Sequence, residues 1–203
     1  MRRFERIYRE LLLSGLRQVM LVRQEDIASK CSVSLGLVNK IVKKLEVAHA
    51  VEATRRGVRV LSPARLLNLW AAERDLNKDV WQQFRLDPIT EVEKSLPGDT
   101  LLTAFSGWFT ISRRKPAEYD RLYFYALDEQ SFNHWLSIRE KKIRRTNPNI
   151  FALHVDDEHL KSSSNKGVVC VPQIYVDIYS INGPEASPFL RDIVATYSDF
   201  SLW

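Results

Sequence analysis

Along the first stretch of the chain, Phe4, Ile7, Tyr8, Leu11 and Leu12 recur three and four positions apart, the period of a helix with one buried face. The pattern predicts a helix over Arg2–Ser14, stopped near Gly15. Arg2, Arg6 and Arg9 fall on another face, where phosphate contact and plain solvation are both open to them. Gln18–Val22 reads as a short strand. Gln24–Lys30 predicts a second helix with Ile27 and Ala28 inward, and Cys31-Ser32-Val33 turns the chain. Ser34 is placed to cap a third helix, from about Leu35 to Val47, because its hydroxyl can accept an orphan backbone N–H. Val38, Ile41, Val42 and Leu45 share the inward face of that helix. Leu35, Gly36, Asn39, Lys40 and Lys43 share the outward one. Ala50–Thr54 and Val58–Ser62 read as two strands joined at Arg55-Arg56-Gly57, where Gly57 can take a positive φ. Arg55, Arg56 and Arg59 then project from the hairpin. Pro63 ends the second strand, and Leu66, Leu67, Leu69 and Trp70 begin a closing helix.

The rest of the chain is less regular. Residues 73–99 mix charge with Pro88, Pro97 and Gly98 and read as a linking helix and loops, although Val80, Trp81 and Phe84 need burial. LLTAFSGWFTI is an apolar stretch from Leu101 onward, and Arg121–Leu127 has the alternation of a strand. Asp128 to about Arg145 reads as a helix capped by Asp128, with Phe132, Trp135, Leu136, Ile138 and Arg139 bracketing its buried face. Ile150–Val155 and Val168–Val171 are candidate strands, and Ser162–Asn165 looks like a surface loop. Pro172 suits the first turn of a helix packed through Ile174, Val176, Ile178 and Tyr179. Asn182-Gly183-Pro184 breaks it, and a last helix runs from about Glu185 to Tyr197. Strands interleaved with helices predict an α/β or α+β domain. The predicted organisation is an N-terminal unit over residues 1–72, mainly α with a β-hairpin, and a C-terminal unit over residues 73–203.

Charge sharpens this division. Of the 203 residues, positions 1–65 hold 14 Lys and Arg against 6 Asp and Glu, a net of +8, whereas positions 66–203 carry a net of −3. The excess points to a polyanionic partner for the N-terminal unit. Its third helix has small residues at one end and lysines further along, a face that suits a major groove. There Ser34, Leu35, Gly36 and Asn39 would meet base edges, Lys40 and Lys43 would hold phosphates, and Arg55, Arg56 and Arg59 would clamp a neighbouring groove or backbone. The densest basic run, Arg139, Lys141, Lys142, Arg144 and Arg145, stands either as a second phosphate-binding surface, as a patch for an acidic partner, or as a solvated helix end.

Other chemistry is excluded or weak. No apolar run approaches the roughly 18 residues needed to cross a membrane. Glu5, Arg6, Arg9 and Glu10 interrupt what could pass for a signal peptide, so a cytoplasmic protein is expected. Cys31 and Cys170 are far apart, with no CxxC, and read as reduced packing residues. His154, Asp156, Asp157, Glu158 and His159 form the one dense group of metal-ligand types, better read as a strand-to-loop junction. No catalytic triad, Walker loop or dinucleotide fingerprint occurs. A nucleotidyltransferase site would need a Gly-Ser loop and an Asp-x-Asp pair. Ser106-Gly107 has the wrong order, and Asp120 stands alone. The expectation is a non-enzyme without cofactor or resident metal.

Two resemblances follow. QEDIASKCSVSLGLVNKIVKKLE with VEATRRGVRVL resembles the winged helix-turn-helix domains of bacterial and archaeal transcription regulators, over residues 1 to about 65. VVCVPQIYVDIYSINGPEASPFLRDIV is similar to a C-terminal segment of AbiEi-type antitoxins of type IV toxin–antitoxin systems. The matching residues are Pro172, Gln173, Tyr175, Asp177, Gly183, Glu185, Ala186, Phe189 and Leu190. Ala104–Trp108 is similar to that family's Leu-Thr-Gly segment, with serine at the threonine position. The resemblance implies a DNA-binding regulator that represses its own operon through double-stranded operator DNA and opposes a nucleotidyltransferase-like toxin; a homodimer is a further candidate partner state, left open by the sequence. A general winged-helix regulator with a protein-interaction or nucleic-acid-processing C-terminal unit is the alternative.

Overall fold

A computed structural model describes residues 2–17, 21–154 and 158–197. The chain is a mixed α/β protein. Helix α1 (Arg3–Leu16), α2 (Gln24–Cys31) and α3 (Leu35–Val47) are followed by a hairpin of β1 (Val51–Thr54) and β2 (Gly57–Val60), then α4 (Pro63–Glu73). The buried positions of α3 are Val38, Ile41, Val42 and Leu45, as its spacing predicts. Ser34 caps it by accepting from the Leu37 N–H at 3.2 Å. Pro63 does more than end a strand. It opens α4, whose cap is Ser62, where proline's missing N–H costs nothing.

Helix α1 ends at Leu16, one residue past Gly15, as expected. The glycine also allows close packing, since a Cβ there would sit 3.3 Å from Val60 Cγ1. Of the expected strand at residues 18–22, positions 18–20 lie outside the described residues. Val22 exchanges backbone hydrogen bonds with Val58, at 3.0 and 2.8 Å, and so adds a third rung to the hairpin. Gly57 is required by that rung. Its φ is +148°, and a Cβ would lie 2.7 Å from the Val22 carbonyl oxygen, closer than any side chain tolerates.

Residues 73–99 form no linker. After a 3-10 turn at Leu76–Asp79, Val80–Phe84 is strand β3, and Ile89–Lys94 is α5. With β4 (Thr100–Leu102), β5 (Leu122–Ala126) and β6 (Ile150–His154) they build a four-stranded mixed sheet in the order β3-β6-β5-β4. β5 and β6 are parallel and the other pairs antiparallel. Helices α6 (Ala104–Ser112), α7 (Glu129–Ser137), α8 (Glu158–Ser163), α9 (Val171–Ser180) and α10 (Ala186–Thr196) complete the described chain.

Alternation along the central strand decides the layering. Leu122, Phe124 and Ala126 face a core with Phe84, Val92, Phe132 and Trp135. Tyr123 and Tyr125 face the larger core. That larger core is continuous from Ile7, Leu11 and Leu12 of α1 through Trp70 of α4 to Phe105, Ile174 and Phe189. No break in apolar packing separates residues 1–72 from the remainder.

Four further expectations are corrected. Helix α7 ends at Ser137, well short of Arg145. Ile138 is 68% exposed, and the chain then folds back so that Arg85 and Arg144 pair backbone N–H and C=O groups at 2.7 and 3.0 Å. Covering this sheet edge replaces further helix. Val168–Val171 is no strand: Val168 makes isolated bridges to Leu102 and Asn165, and Val171 opens α9. Ser162 and Ser163 close α8 rather than lying in a loop. Tyr179 is half-exposed and stacks on Tyr175.

Candidate nucleic-acid interface

The outward face of α3 and the tip of the hairpin border one open concavity of about 710 Å³. Leu35 and Asn39 reach it from α3, and Arg55, Arg56 and Gly57 from the hairpin. The hairpin turn is held by Thr54, whose hydroxyl donates to the Gly57 carbonyl at 3.0 Å and accepts from the Arg56 N–H at 3.2 Å. Neither guanidinium is drawn into that turn, and both arginines are exposed. The sequence reading missed Arg23, which lines the same concavity from the residue before α2, beside Gln24 and Glu25. The available signal was its position at a helix start, next to the Val22 segment that pairs with the hairpin.

The other expected residues divide. Ser34 and Gly36 are exposed at the start of α3, and a Cβ on Gly36 would meet nothing within 4 Å. Ser34 spends its hydroxyl on the cap. Lys40 and Lys43 are exposed on α3 but outside the concavity. Arg59 is held by Glu52 across the hairpin at 2.6 Å. Lys44, further along α3, is neutralised by Glu73 at 2.5 Å. The Glu73 carboxylate also accepts from the Tyr8 hydroxyl at 2.8 Å. Burial, reinforced by that carboxylate, raises the Tyr8 pKa above its ordinary value. Arg23, Arg55 and Arg56 thus line one concavity whose lining includes a single carboxylate, Glu25, which itself suits the positive end of α2.

No protein-family model, curated protein or solved structure matches this chain.

The three arginines of α1 resolve differently from one another. Arg2 donates to the Glu73 carbonyl and Arg6 to the Cys31 carbonyl. Arg9 is fully buried, with Nε donating to Gln173 Oε1 at 3.1 Å and Nη1 lying 3.1 Å from His159 Nδ1. It faces neither phosphate nor solvent. His159 Nε2 lies 3.0 Å from Glu10, whose other oxygen accepts from Lys30 of α2 at 2.7 Å. Burial works against the Glu10 charge, but His159 and Lys30 outweigh it and lower the carboxyl pKa. Since guanidinium only donates, the contact to Arg9 fits His159 with Nδ1 accepting and Nε2 donating to Glu10.

A second buried cluster sits at the junction of the two halves. Arg74, at the end of α4, donates to Asp177 at 2.8 Å, Asp79 at 2.5 Å and the Tyr125 hydroxyl at 3.0 Å, and lies 3.3 Å from Glu5. Burial opposes its charge. Tyr125 and the carboxylates of Asp177, Glu5 and Asp79 overcome that and hold its pKa well above the ordinary arginine value. Asp177 also accepts from Thr103 at 2.7 Å, Tyr125 at 2.8 Å and Gln173 at 2.9 Å. Gln173 and Asp177 thus bind α9 to α1, α4 and β5.

The HVDDEH group is described only in part. His154 ends β6 and is exposed, His159 is committed to Arg9 and Glu10, and Asp156 and Asp157 lie outside the described residues. No group of three or more metal-ligand side chains occurs among the described residues, and no described helix is long and apolar enough to cross a membrane. Ser106 donates to Glu93 at 3.2 Å inside the fold. Cys31 is buried and Cys170 half-buried, both as free thiols.

Proposed function

We propose that residues 1 to about 65 are a winged helix-turn-helix and that the protein is a DNA-binding regulator acting by binding rather than catalysis. In this reading α3 enters a major groove, the β1–β2 hairpin is the wing, and the concavity between them receives duplex backbone and base edges. One observation carries it: Asn39 and Leu35 on α3 lie in the same open concavity as Arg23, Arg55 and Arg56. An amide can read a base edge, an apolar side chain can meet a thymine methyl, and exposed arginines supply phosphate contacts. Selection of bound duplexes from a random pool tests this. A recovered consensus that competes against random DNA is expected. Recovery of unrelated sequences, with binding unchanged in Arg55→Ala/Arg56→Ala, overturns it.

The antitoxin role rests on the resemblance of residues 168–194, with support from the way Gln173 and Asp177 tie that segment to the DNA-binding half. In this reading the protein is cytoplasmic, represses its own operon and counteracts a nucleotidyltransferase-like toxin. An adjacent reading frame encoding such a toxin, whose growth arrest is relieved by co-expression of this chain, is the expected result. Arrest that persists on co-expression favours the general regulator.

A further inference from the structure

A second cavity, of about 310 Å³, opens between β3, α7 and the 3-10 turn at Glu140–Lys142. Its size falls at the lower end of small-ligand sites. Gln82 and Phe84, two positions apart, reach it from one face of β3. Asn133, Leu136 and Ser137, three and four positions apart, reach it from one face of α7. Glu140, Ile143 and Arg145 complete the lining. Phe84, Leu136 and Ile143 all belong to the smaller core, so the cavity has an apolar patch at that core's edge.

The polar groups of the lining differ in their commitments. Ser137 donates its hydroxyl to the His134 carbonyl at 2.8 Å. The side-chain amides of Gln82 and Asn133 bond to no protein group among the described residues. Glu140 and Arg145 are exposed and line the same cavity. Yet they pair neither with each other nor with any other described residue. Opposite charges that share a cavity without closing on one another leave room for a ligand that carries both signs. The rest of the basic run is placed elsewhere. Arg139 lies 4.4 Å from the Trp135 ring centroid, Arg144 is paired with Asp87 at 2.7 Å, and Lys142 lines a separate concavity with Leu86 and Glu91. Arg145 alone of the run contributes its charge to this lining, against the one carboxylate of Glu140.

We propose that this cavity binds a free α-amino acid with an apolar side chain. The Arg145 guanidinium takes the carboxylate, for which its planar fork is suited. Glu140 accepts from the ammonium. The side chain covers Phe84, Leu136 and Ile143. Gln82 and Asn133, whose amides both donate and accept, supply further hydrogen bonds to the two charged groups. Other ligand classes use the lining less well. A phosphate meets one cation and is repelled by Glu140. A simple amine meets Glu140 and is repelled by Arg145. A hydrocarbon covers both charges and pairs neither, which costs free energy. Within a peptide the same residue has lost one of its charges, so the free amino acid is the form that satisfies both sides.

Calorimetric titration of the full chain with leucine near neutral pH is the test. Three relatives of leucine accompany it: N-acetyl-leucine, which lacks the ammonium, leucinamide, which lacks the carboxylate, and glycine, which lacks the side chain. Each is expected to bind at least about tenfold more weakly than leucine, the scale of one hydrogen bond to a charged group or of one buried apolar side chain. Glu140→Gln should weaken leucine and remove its advantage over N-acetyl-leucine while keeping its advantage over leucinamide. Arg145→Gln should do the reverse. Both side chains are exposed, and unchanged circular dichroism of the variants separates loss of binding from loss of fold. A cavity that was merely loosened would not produce the crossed pattern. No heat at millimolar leucine, glycine binding as tightly as leucine, or losses in the two variants that do not follow the charge each ligand lacks would overturn the proposal. The site does not depend on DNA binding by the wing. The α3–hairpin concavity also holds arginines, a glutamate and Leu35, so Arg55→Ala/Arg56→Ala is the control and should leave the leucine titration intact. Its loss in that variant would place the amino acid at the other concavity and overturn the assignment.

Discussion

At the scale of single residues, the proposed interface depends on the backbone freedom of Gly57. Gly57 lets the Val22 segment approach β2 closely enough to bond, and this holds the hairpin against the start of α2. Gly57→Ala combines an unfavourable φ of +148° with a contact of 2.7 Å to a carbonyl oxygen. A loss of about 1–3 kcal/mol is expected in urea unfolding, and an unchanged midpoint would contradict the account. Asn39 belongs to the reading itself. If its amide meets a base edge, Asn39→Ala should reduce discrimination between operator and random duplex by about 1–3 kcal/mol while leaving random-DNA affinity nearly unchanged. Equal losses on both duplexes would reassign Asn39 to backbone contact.

At the scale of elements, what was legible in the sequence was local. The apolar period, the Ser34 cap and the Arg-Arg-Gly turn lie within a few residues of the structure they specify, so α3 and the hairpin follow from short-range rules. The candidate site was legible for the same reason: Leu35, Asn39, Arg55 and Arg56 are displayed by those two elements. The fate of Arg9 was not, because its partners His159 and Gln173 are 150 and 164 positions away. The end of α7 was not legible either, since it is decided by a sheet edge that residues 80–85 provide. The join between the halves is of this long-range kind. Asp177 is fully buried and accepts from Arg74, Thr103, Tyr125 and Gln173. Asp177→Ala would strand those donors and leave Arg74 undercompensated, a loss of about 3–5 kcal/mol on the scale of broken buried ion pairs. Asp177→Asn, which keeps an acceptor oxygen, should lose less. Chemical denaturation of the two variants orders them, and the reverse order would contradict the proposed hydrogen bonding.

At the scale of the whole molecule, a continuous core and two buried polar clusters make the N-terminal helices and the sheet one packed body. One consequence is a dependence on acid. The folded-state pKa of Glu10 lies below the ordinary value of 4.5. Its contribution is therefore fully present above about pH 4.5 and is lost as pH falls through the lower folded value. Glu10→Gln should flatten the fall in stability across that window, measured as unfolding midpoint against pH. A second consequence is that the exposed charge on α3 and the β1–β2 hairpin takes no part in that core, so removing it should alter affinity without altering fold. The most direct test of the central claim is fluorescence anisotropy of a selected duplex, titrated between roughly 50 and 300 mM salt. The wild-type chain is compared with Arg55→Ala/Arg56→Ala. The account predicts weaker binding of the variant to every duplex, with a logarithmic salt slope shallower by about one to two, near 0.9 for each lost phosphate contact. Identical affinity and slope for the two proteins would contradict it.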